Sequence, residues 1–365
     1  MSIESKFRFT PIVKCVAFSC NLRCDYCFYF FDLRKRSIMS LPILEATIKE
    51  SYLYNDGTVN FVWHGGEPLL ASRNFFQSAL NFQKKYNTDR RATINGIQTN
   101  GTILNEEWIK FFSDNNFQIG VSLDGPQEFH DYYRKYPDGS GSFRDVMRGI
   151  ELFKKHNFPF GVVCVITDIS VEHPEEIFKF FVENEIYCVK FSRLIYRDRS
   201  GKFLKPTVHP EKYGRFLLKL MDIWLIRDDP KIKFTPLSDF FRSLLQGECF
   251  EECLFSEACT RFLVVNANGD IFACSSEGSD ERWKFGNIAD GIAKVINSRQ
   301  FKAYQDRIIE TRKRCHFCQW YSVCKGGCTC DYELMSNGSE HNALCGSFKK
   351  IFQYAKNKLS EFKLI

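Results

Sequence analysis

The feature that most constrains the fold is a regular alternation of strand-like and helix-like segments between Ile12 and Leu194. Strands that alternate with helices of this length pair in parallel through right-handed crossovers. Six such units predict an α/β fold, a partial (β/α)6 TIM-like barrel, with a doubly wound open sheet as the structural alternative. The predicted strands cover residues 12–18, 58–63, 91–97, 117–123, 158–166 and 187–194, and the predicted helices begin near residues 40, 73, 105, 142 and 174.

Unusual residues follow the ends of these predicted strands, which is where parallel α/β sheets bind ligands. Three cysteines with the spacing C-x3-C-x2-C follow the first strand. A Gly-Gly-Glu-Pro turn preceded by His64 follows the second strand, and taken alone it is also typical of an ordinary βα turn. All of these segments are expected to face one cavity mouth: Cys20, Cys24 and Cys27; His64 to Pro68; Gln98 to Gly101; Ser122 to Pro126; and Val165 to Thr167.

The cysteine triplet predicts an iron–sulfur cluster with one open iron, because three thiolates hold three corners of a [4Fe–4S] cluster and no fourth cysteine is nearby. An open iron can be chelated by the amine and carboxylate of S-adenosylmethionine. One electron from the reduced cluster then cleaves the carbon–sulfur bond and yields a 5′-deoxyadenosyl radical, while the protein positions the cofactor and excludes water. Glu67 is expected to receive the ligand's ammonium group, and Asp124 its ribose hydroxyls. The alternative is a chance grouping among the chain's 16 cysteines.

Cysteines are concentrated in one region of the chain's second half, from Cys249 to Cys345. An Asn268-Gly269 turn predicts a β-hairpin inside this region, over residues 262–274. The N-terminus lacks the apolar segment of a signal peptide, so these cysteines favour cluster or metal ligation over disulfides. We predict a barrel over residues 1–206, a helical bridge over 207–248, a cysteine-rich domain over 249–346 and a C-terminal helix over 347–365.

Composition excludes several classes of function. The net charge of +6 is spread along the chain, so no nucleic-acid-binding stripe is predicted. No apolar run approaches the ~20 residues that a membrane span needs. We therefore expect a cytoplasmic protein that binds neither nucleic acid nor membrane.

The motifs together resemble the radical SAM superfamily. The cysteine triplet, with Tyr26 before its third cysteine, is similar to the superfamily's signature, and Gly-Gly-Glu-Pro is similar to its methionine-binding motif. The segments at residues 98–102, 121–126 and 164–167 resemble the anaerobic sulfatase-maturating enzymes and their peptide-modifying relatives. By this resemblance, Ser122 and Asp124 bind the ribose and carboxylate side of the cofactor, and the backbone near Val165 meets its adenine. The implied cofactor-binding residues are Tyr26, Gly65, Gly66, Glu67, Gln98, Asn100, Ser122, Asp124, Val165 and Ile166.

The C-terminal cysteines resemble the SPASM domain, whose members hold two auxiliary [4Fe–4S] clusters. The resemblance therefore implies three clusters in all, and two interleaved auxiliary sites, because Cys328 lies in sequence between two ligands of the other site. The alternative is a pair of structural zinc sites, each held by four cysteines. The implied ligands are Cys253, Cys259, Cys274 and Cys328 for the first auxiliary cluster, and Cys315, Cys318, Cys324 and Cys345 for the second.

Five cysteines remain outside these ligand sets. Cys15, Cys164 and Cys188 fall in predicted strands and are expected to be small buried hydrophobes. Cys249 and Cys330 lie among the implied ligands, and their roles stay open.

Two positions depart from the sulfatase-maturating pattern. Those enzymes carry an Asp, their proposed general base, directly after the third cysteine of the first auxiliary cluster, where this chain has Ser275. They carry Gln before Gly-Gly-Glu-Pro, where this chain has His64. Serine cannot replace a carboxylate in proton abstraction. The candidate catalytic residues are therefore His64, which is equally a candidate wall of the substrate pocket, Ser275, and Glu277.

These departures favour a radical SAM enzyme that abstracts hydrogen from a residue of a ribosomally made precursor peptide and oxidatively modifies or cross-links it, for example as a cyclophane or ether. The alternative is an anaerobic sulfatase maturase that forms formylglycine from Cys or Ser. A remote alternative is a non-catalytic zinc-binding interaction module. The expected partners are a peptide or protein substrate and an electron donor such as flavodoxin or ferredoxin. Since the first strand begins near Ile12, we expect leader-peptide recognition at the barrel mouth, at the bridge or by a separate protein.

Overall fold

A computed structural model describes residues 7–27, 37–194, 206–248, 253–255, 258–274, 281–335 and 342–364. The chain divides into two compact units. Unit 1 comprises residues 1–121, 135–160 and 259–307, and unit 2 comprises residues 122–134, 161–258 and 308–365. None of the helices in these described ranges is long and apolar enough to cross a membrane.

The described secondary structure alternates strands and helices over the first half of the chain. The strands are β1 Thr10–Lys14, β2 Val59–His64, β3 Thr93–Thr99, β4 Phe117–Ser122, β5 Phe160–Ile166, β6 Cys188–Arg193, β7 Lys233–Thr235, β8 Phe262–Val265, β9 Asp270–Phe272 and β10 Lys284–Asn287. The helices are α1 Leu41–Tyr54, α2 Arg73–Tyr86, α3 Glu106–Asp114, α4 Gln127–Tyr133, α5 Phe143–Lys155, α6 Pro174–Glu183, α7 Pro210–Arg227, α8 Leu237–Gln246, α9 Ile292–Ile296, α10 Arg299–Arg312, α11 Tyr321–Cys324, α12 Thr329–Met335 and α13 Cys345–Glu361.

Unit 1 is built on parallel strands in the order β1, β2, β3, β4. This parallel pairing and the intervening helices confirm the predicted α/β class. The first strand ends at Lys14, four residues earlier than predicted, because the chain turns there. Ala17 adopts a left-handed conformation, with φ of 51°, and its N–H donates to the Lys14 carbonyl over 3.1 Å.

The two faces of these strands differ in exposure, which is what places a ligand site. On one face, Trp63 is fully buried and stacks on Phe61 and edge-on against Phe76 of α2. On the other face, alternate residues such as His64 and Gln98 remain partly exposed. Because side chains alternate along a strand, one face packs under the helices and the other is left open.

The predicted hairpin of the cysteine-rich region is confirmed. Strands β8 and β9 pair antiparallel, and Gly269 at their turn has φ of 86°. Strand β8 also pairs in parallel with β1, with Thr10 opposite Phe262. Residues 259–307 therefore extend the sheet of unit 1, a long-range pairing that local sequence patterns do not predict.

Unit 2 contains parallel strands β5, β6 and β7. The bridge region has helices α7 and α8 as expected, but β7 lies between them and adds a strand beside β6. The C-terminal helix α13 packs on α7, where the Ser347 hydroxyl donates to the Pro210 carbonyl over 3.0 Å. An aromatic cluster fills the core between α8 and α13, formed by Phe240, Phe255, Phe348 and Phe352.

Candidate active site

The cysteine triplet lies in the loop that follows β1. The loop is held by backbone turns, including a 3.0 Å bond from the Cys27 N–H to the Cys24 carbonyl. The Leu22 N–H donates to the Cys20 sulfur over 3.4 Å. Burial raises the pKa of the Cys20 thiol to about 12. This sulfur therefore stays protonated at neutral pH unless a bound metal displaces its proton.

Asn100, at the end of β3, holds the cysteine loop in place. Its side-chain amide donates to Asn21 over 2.9 Å and lies 3.7 Å from the Cys20 sulfur. Asn21 in turn donates to the Thr102 hydroxyl over 2.8 Å, and that hydroxyl donates back to the side-chain oxygen Oδ1 of Asn100. Asn100 is predicted to bind cofactor, and the structure adds a second task, fixing the first cysteine.

The Gly-Gly turn after β2 lies directly against the cysteine loop. Gly66 has φ of 34°, and a Cβ there would lie 2.7 Å from the Ser19 carbonyl carbon and overlap its oxygen. The Glu67 N–H donates to the same Ser19 carbonyl over 2.8 Å. Only glycine permits this approach, so the turn and the residue before Cys20 have fixed positions relative to each other.

Glu67 is fully buried and joins the ends of β2 and β3. Its carboxylate accepts hydrogen bonds from the Thr99 hydroxyl at 2.7 Å, the Asn100 N–H at 2.7 Å and the Leu69 N–H at 3.1 Å. Burial outweighs these donors and raises the pKa of Glu67 to about 7. The carboxylate is thus committed to three protein donors, and contact with a ligand's ammonium group stays a prediction.

His64 presents a defined tautomer. The Gly65 N–H donates to its Nδ1 over 2.6 Å, so Nδ1 is an acceptor and the ring proton lies on Nε2. Although His64 is partly exposed, desolvation of its ring, together with the ammonium of Lys14, lowers the pKa of His64 to about 4. The ring is therefore neutral at pH 7. It is a hydrogen-bond donor at Nε2 and a weak base.

Gln98 and Gly120 lie opposite each other on β3 and β4. A Cβ at Gly120 would lie 3.2 Å from the Gln98 Cδ, so the amide extends across the glycine. Both residues are partly exposed, on the open face of the sheet. The predicted cofactor-binding residue Gln98 therefore has an accessible polar side chain. Tyr26, by contrast, is buried within the cysteine loop.

In unit 2, Asp124 is the centre of a buried polar group. It is 1% exposed, and its carboxylate accepts two bonds from the Arg134 guanidinium, at 2.7 and 3.2 Å, and one from the Val165 N–H at 2.9 Å. The Asp124 N–H donates to Nδ1 of the buried His130. No sequence spacing pointed to Arg134 or His130 as partners of Asp124, and its contact with ribose hydroxyls stays a prediction.

The other predicted residues at these strand ends differ in exposure. Ser122 and Val165 are partly exposed, whereas Ile166 is fully buried. The Ile166 side chain is therefore inaccessible to a ligand, and its carbonyl accepts from the Leu194 N–H over 3.0 Å. Contact between the backbone of this segment and the adenine stays a prediction.

The predicted ligands of the second auxiliary cluster meet around one cavity in unit 2. The cavity has a volume of about 360 Å³. Burial, and to a lesser extent the neighbouring thiols, raise the pKa of Cys324 to about 12. Within the described residues, no three His, Cys, Asp or Glu side chains converge closely enough for a single metal ion. The cavity is lined by all four cysteines of the predicted set, Cys315, Cys318, Cys324 and Cys345.

A soft, all-thiol donor set around a cavity of this size suits an iron–sulfur cluster. The Gly326 N–H lies against the Cys324 sulfur, and Tyr332 supplies a hydroxyl to Cys315. Backbone and side-chain donors of this kind stabilise ligated thiolates. The residues present therefore fit the group that the resemblance implies.

The first auxiliary set is divided between the two units. In unit 1, Cys259 lies just before β8 and Cys274 just after β9. Because these strands are antiparallel neighbours, both cysteines lie at the same end of the hairpin. Cys328 follows the left-handed Gly327 in unit 2. The Cys253 side chain lies outside the described residues, as do the candidate catalytic residues Ser275 and Glu277, and Cys249.

The remaining cysteines are partly as predicted. Cys15 and Cys164 are fully buried and Cys330 nearly so. The expectation for Cys188 is wrong, because it is exposed at the first position of β6, where the alternation of the strand turns it away from the face of the buried Val189. No disulfide joins the cysteines that the structure describes.

Comparison with known proteins assigns both halves of the chain. Residues 16–181 match the radical SAM superfamily, and residues 253–329 match the SPASM iron–sulfur cluster-binding domain. The chain is 31% identical over 359 residues to a cysteine-type anaerobic sulfatase-maturating enzyme of Clostridium perfringens, covering 95% of this chain and 96% of that one. It is 33% identical over 369 residues to a serine-type enzyme of Bacteroides thetaiotaomicron, covering 94% and 88%.

Solved structures agree with these sequence matches. Native anSMEcpe with bound AdoMet matches with a TM-score of 0.86 at 29% identity, covering 97% of this chain and 99% of that one. Streptococcus suis SuiB bound to S-adenosylmethionine matches with a TM-score of 0.64 at 17% identity, covering 88% and 73%, a likeness in fold alone.

The protein is therefore a radical SAM enzyme with a SPASM domain, which confirms the predicted enzyme class and fold. The domains bind iron–sulfur clusters and S-adenosylmethionine. More narrowly, the chain belongs to the family of the anaerobic sulfatase-maturating enzymes.

The prediction of a peptide cross-linking enzyme is wrong. Relatives that match over nearly the whole chain at 31% and 33% identity are sulfatase-maturating enzymes, of both the cysteine and the serine type. The similarity along the rest of the chain outweighs the two departures, Ser275 and His64. The comparisons favour the alternative stated from the sequence, formylglycine formation.

Proposed function

We propose that this enzyme oxidises a Cys or Ser side chain of a sulfatase to formylglycine without oxygen. The observation that carries the proposal is the near full-length match to enzymes named for this activity. Structures of anSMEcpe with the peptides Kp18Cys and Cp18Cys bound match this chain with TM-scores of 0.86 and 0.84. A peptide segment of a protein substrate is therefore the proposed ligand of the open sheet face.

The proposed cofactors are S-adenosylmethionine and three [4Fe–4S] clusters, held by the triplet and by the two cysteine sets named above. When bound at the triplet, the cluster and S-adenosylmethionine supply a 5′-deoxyadenosyl radical, which removes a hydrogen atom from the substrate. The chain's own contribution at this site is positional. Asn100 orients Cys20, and Gly66 lets the following turn approach the cysteine loop.

We assign the contacts with the other groups of S-adenosylmethionine from the exposure of the side chains at the strand ends. Partly exposed Ser122 and Gln98 supply the polar contacts. Asp124, with both oxygens already accepting bonds, acts as a positioning residue. It holds the Val165 backbone at the end of β5, where adenine would bind. The buried ion pair with Arg134 makes this arrangement rigid, because breaking a buried pair costs about 3–5 kcal/mol.

The ease of proton removal distinguishes Cys from Ser substrates, and we assign a Cys substrate to this enzyme. Forming formylglycine from Cys takes a hydrogen atom from Cβ to the 5′-deoxyadenosyl radical, then one further electron, which an auxiliary [4Fe–4S] cluster would accept, and the thiol proton, after which water replaces the sulfur as hydrogen sulfide. A thiol with a pKa near 8.5 gives up its proton far more readily than an alcohol. In sequence, the chain has Ser275 where the family pattern has a carboxylate, and His64 is a weak base. A Cys substrate therefore depends less on the carboxylate that this chain lacks.

The test is an anaerobic assay with two sulfatase-type peptides that differ only in Cys or Ser at the target position. We expect formylglycine from the Cys peptide, identified by its mass and by trapping of the aldehyde with a hydrazine. Cys24→Ala is expected to abolish product, and Cys188→Ala, which alters an exposed cysteine outside the ligand sets, to leave it intact. S-adenosylmethionine cleavage without aldehyde from either peptide would refute the proposal, and faster turnover of the Ser peptide would refute the assignment to Cys.

The electron donor is proposed to be a small one-electron carrier, flavodoxin or ferredoxin. A low-potential carrier of this kind is the ordinary partner for a [4Fe–4S] cluster that must be reduced before each cleavage. The measurement is S-adenosylmethionine cleavage with reduced flavodoxin in place of dithionite. If S-adenosylmethionine is cleaved with dithionite but not with reduced flavodoxin or ferredoxin, the proposed electron donor is refuted, and the assignment of the reaction is unaffected.

A further inference from the structure

Tyr332 places its hydroxyl at the cysteine cavity of unit 2. The oxygen lies 3.2 Å from the Cys315 sulfur and 3.3 Å from the Gly326 carbonyl oxygen. The side chain is 6% exposed, so water does not compete freely for this hydroxyl. Tyr332 comes from α12, whereas Cys315 comes from the turn after α10, so the contact joins two separate segments of the cysteine-rich region.

The backbone geometry around this contact is constrained. Gly326 has φ of +85°, and a Cβ there would lie 3.4 Å from both the Cys315 sulfur and the Tyr332 oxygen. These distances are ordinary van der Waals contacts, so the left-handed backbone, and not a lack of space, favours glycine beside the sulfur and the hydroxyl. Nearby, the Gly326 N–H lies against the Cys324 sulfur, so two sulfurs of the same cavity have hydrogen-bond partners in the protein.

The direction of the Tyr332 hydrogen bond depends on the state of Cys315. As a thiol, Cys315 is itself able to donate, and the tyrosine proton is free to point to the Gly326 carbonyl. As a metal-bound thiolate, the sulfur has no proton and is an acceptor only. The hydroxyl is then the donor, and a hydrogen bond to a charged acceptor is roughly twice as strong as one to a neutral acceptor.

We infer that Tyr332 donates a hydrogen bond to the Cys315 thiolate in the clustered protein and raises the reduction potential of the cluster held by Cys315, Cys318, Cys324 and Cys345. A donor to a cluster sulfur stabilises the reduced state, because that state carries one more negative charge. Tyr332 is a positioning and tuning residue, not a ligand. The inference rests on the ligand assignment proposed above, but it does not depend on which peptide is oxidised.

The test is a potentiometric titration of the anaerobically reconstituted full-length protein, followed by electron paramagnetic resonance. In Tyr332→Phe we expect one auxiliary signal to move to lower potential, with iron content, the other auxiliary signal and S-adenosylmethionine cleavage unchanged. Tyr321→Phe is the matched control. Tyr321 lines the same cavity, but its hydroxyl lies 3.5 Å from His316, so no potential should move.

A second measurement keeps the inference testable if Tyr332→Phe fails to bind full iron. Replacing tyrosine throughout the protein by 3-fluorotyrosine gives a stronger O–H donor of nearly the same size. The same signal is then expected to move upward, opposite to the phenylalanine variant. Unchanged potentials in both proteins, or equal shifts of both auxiliary signals, would overturn the inference. Absence of the cluster signal in the wild type would instead refute the ligand assignment.

Discussion

The close packing of Gly66 against the cysteine loop gives the sharpest test of how this chain builds its first cluster site. In Gly66→Ala, the new Cβ would overlap the Ser19 carbonyl oxygen and lie 2.7 Å from its carbon, whereas real Cβ contacts essentially never fall below 3.0 Å. The backbone next to Cys20 must therefore move. Left-handed strain of about 1–2 kcal/mol and overpacking of about 1–3 kcal/mol add to about 2–5 kcal/mol.

We expect Gly66→Ala to lose about four irons per chain, the content of one [4Fe–4S] cluster, and to lose S-adenosylmethionine cleavage. The assay is iron and sulfide quantitation after anaerobic reconstitution, with cleavage measured on the same sample. Two glycines serve as matched controls. Gly139 has φ of 88° and Gly57 does not have a positive φ, and a Cβ added at either glycine would meet no heavy atom within 4 Å.

Gly139→Ala isolates the cost of the backbone conformation and Gly57→Ala has neither strain nor overlap, so both should keep full iron. The expected order of damage is therefore the order of steric overlap. If Gly66→Ala binds full iron and cleaves S-adenosylmethionine at the wild-type rate, the idea that this turn positions the cysteine loop is refuted.

Three further outcomes follow from contacts elsewhere in the chain. Asp331→Asn should lower the free energy of unfolding by about 3–5 kcal/mol in anaerobic denaturation, because it breaks a buried pair with Arg193 that spans 2.7 Å; a loss below about 1 kcal/mol would contradict this. His64→Gln should gain thermal stability relative to the wild type as pH falls from 7 to 5. The pKa of His64 lies near 4 in the folded protein, below its value in the unfolded chain, so the stability that the neutral ring contributes to the wild type is lost as pH falls. If the difference in melting temperature between variant and wild type is the same at both pH values, that low pKa is excluded. Cys318→Ala should lose about four irons and product while Cys188→Ala loses neither, as iron analysis and the peptide assay will show; equal iron content in the two variants would contradict the ligand assignment.

The alternation of strands and helices was predictable because each strand has its own local period of apolar residues. The same reasoning could not find β7, a three-residue strand between two helices, since so short a run has no period. Nor could it pair β8 with β1, because the register of Thr10 with Phe262 is decided by tertiary packing. Local patterns thus predicted β1 to β4 and the helices between them, but not the membership of residues 259–307 in unit 1.

The site shows the same division between local and long-range information. The Cys-triplet and Gly-Gly-Glu-Pro motifs are local, so their chemistry could be argued from spacing. The hydrogen bonds of Glu67 could not be argued from spacing, because two of its three donors come from the end of β3, more than 30 residues along the chain. Asp124 is similar: its expected role assumed a free carboxylate, whereas Arg134, ten residues along the chain, already engages both oxygens.

The error about the reaction has a physical explanation in what the two departing residues do. Ser275 and His64 stand where the family pattern has groups that handle a proton or shape the pocket, and neither belongs to the residues proposed to hold clusters or cofactor. A change at such positions alters how easily a proton leaves the substrate, which depends on whether the substrate is a thiol or an alcohol. It does not alter where the radical is made or where the peptide must lie. His64 is consistent with this view, because its Nδ1 already accepts from the Gly65 N–H and its low pKa makes the ring a weak base. The departures are therefore evidence about which side chain is oxidised, and they carry no information about which bond is formed.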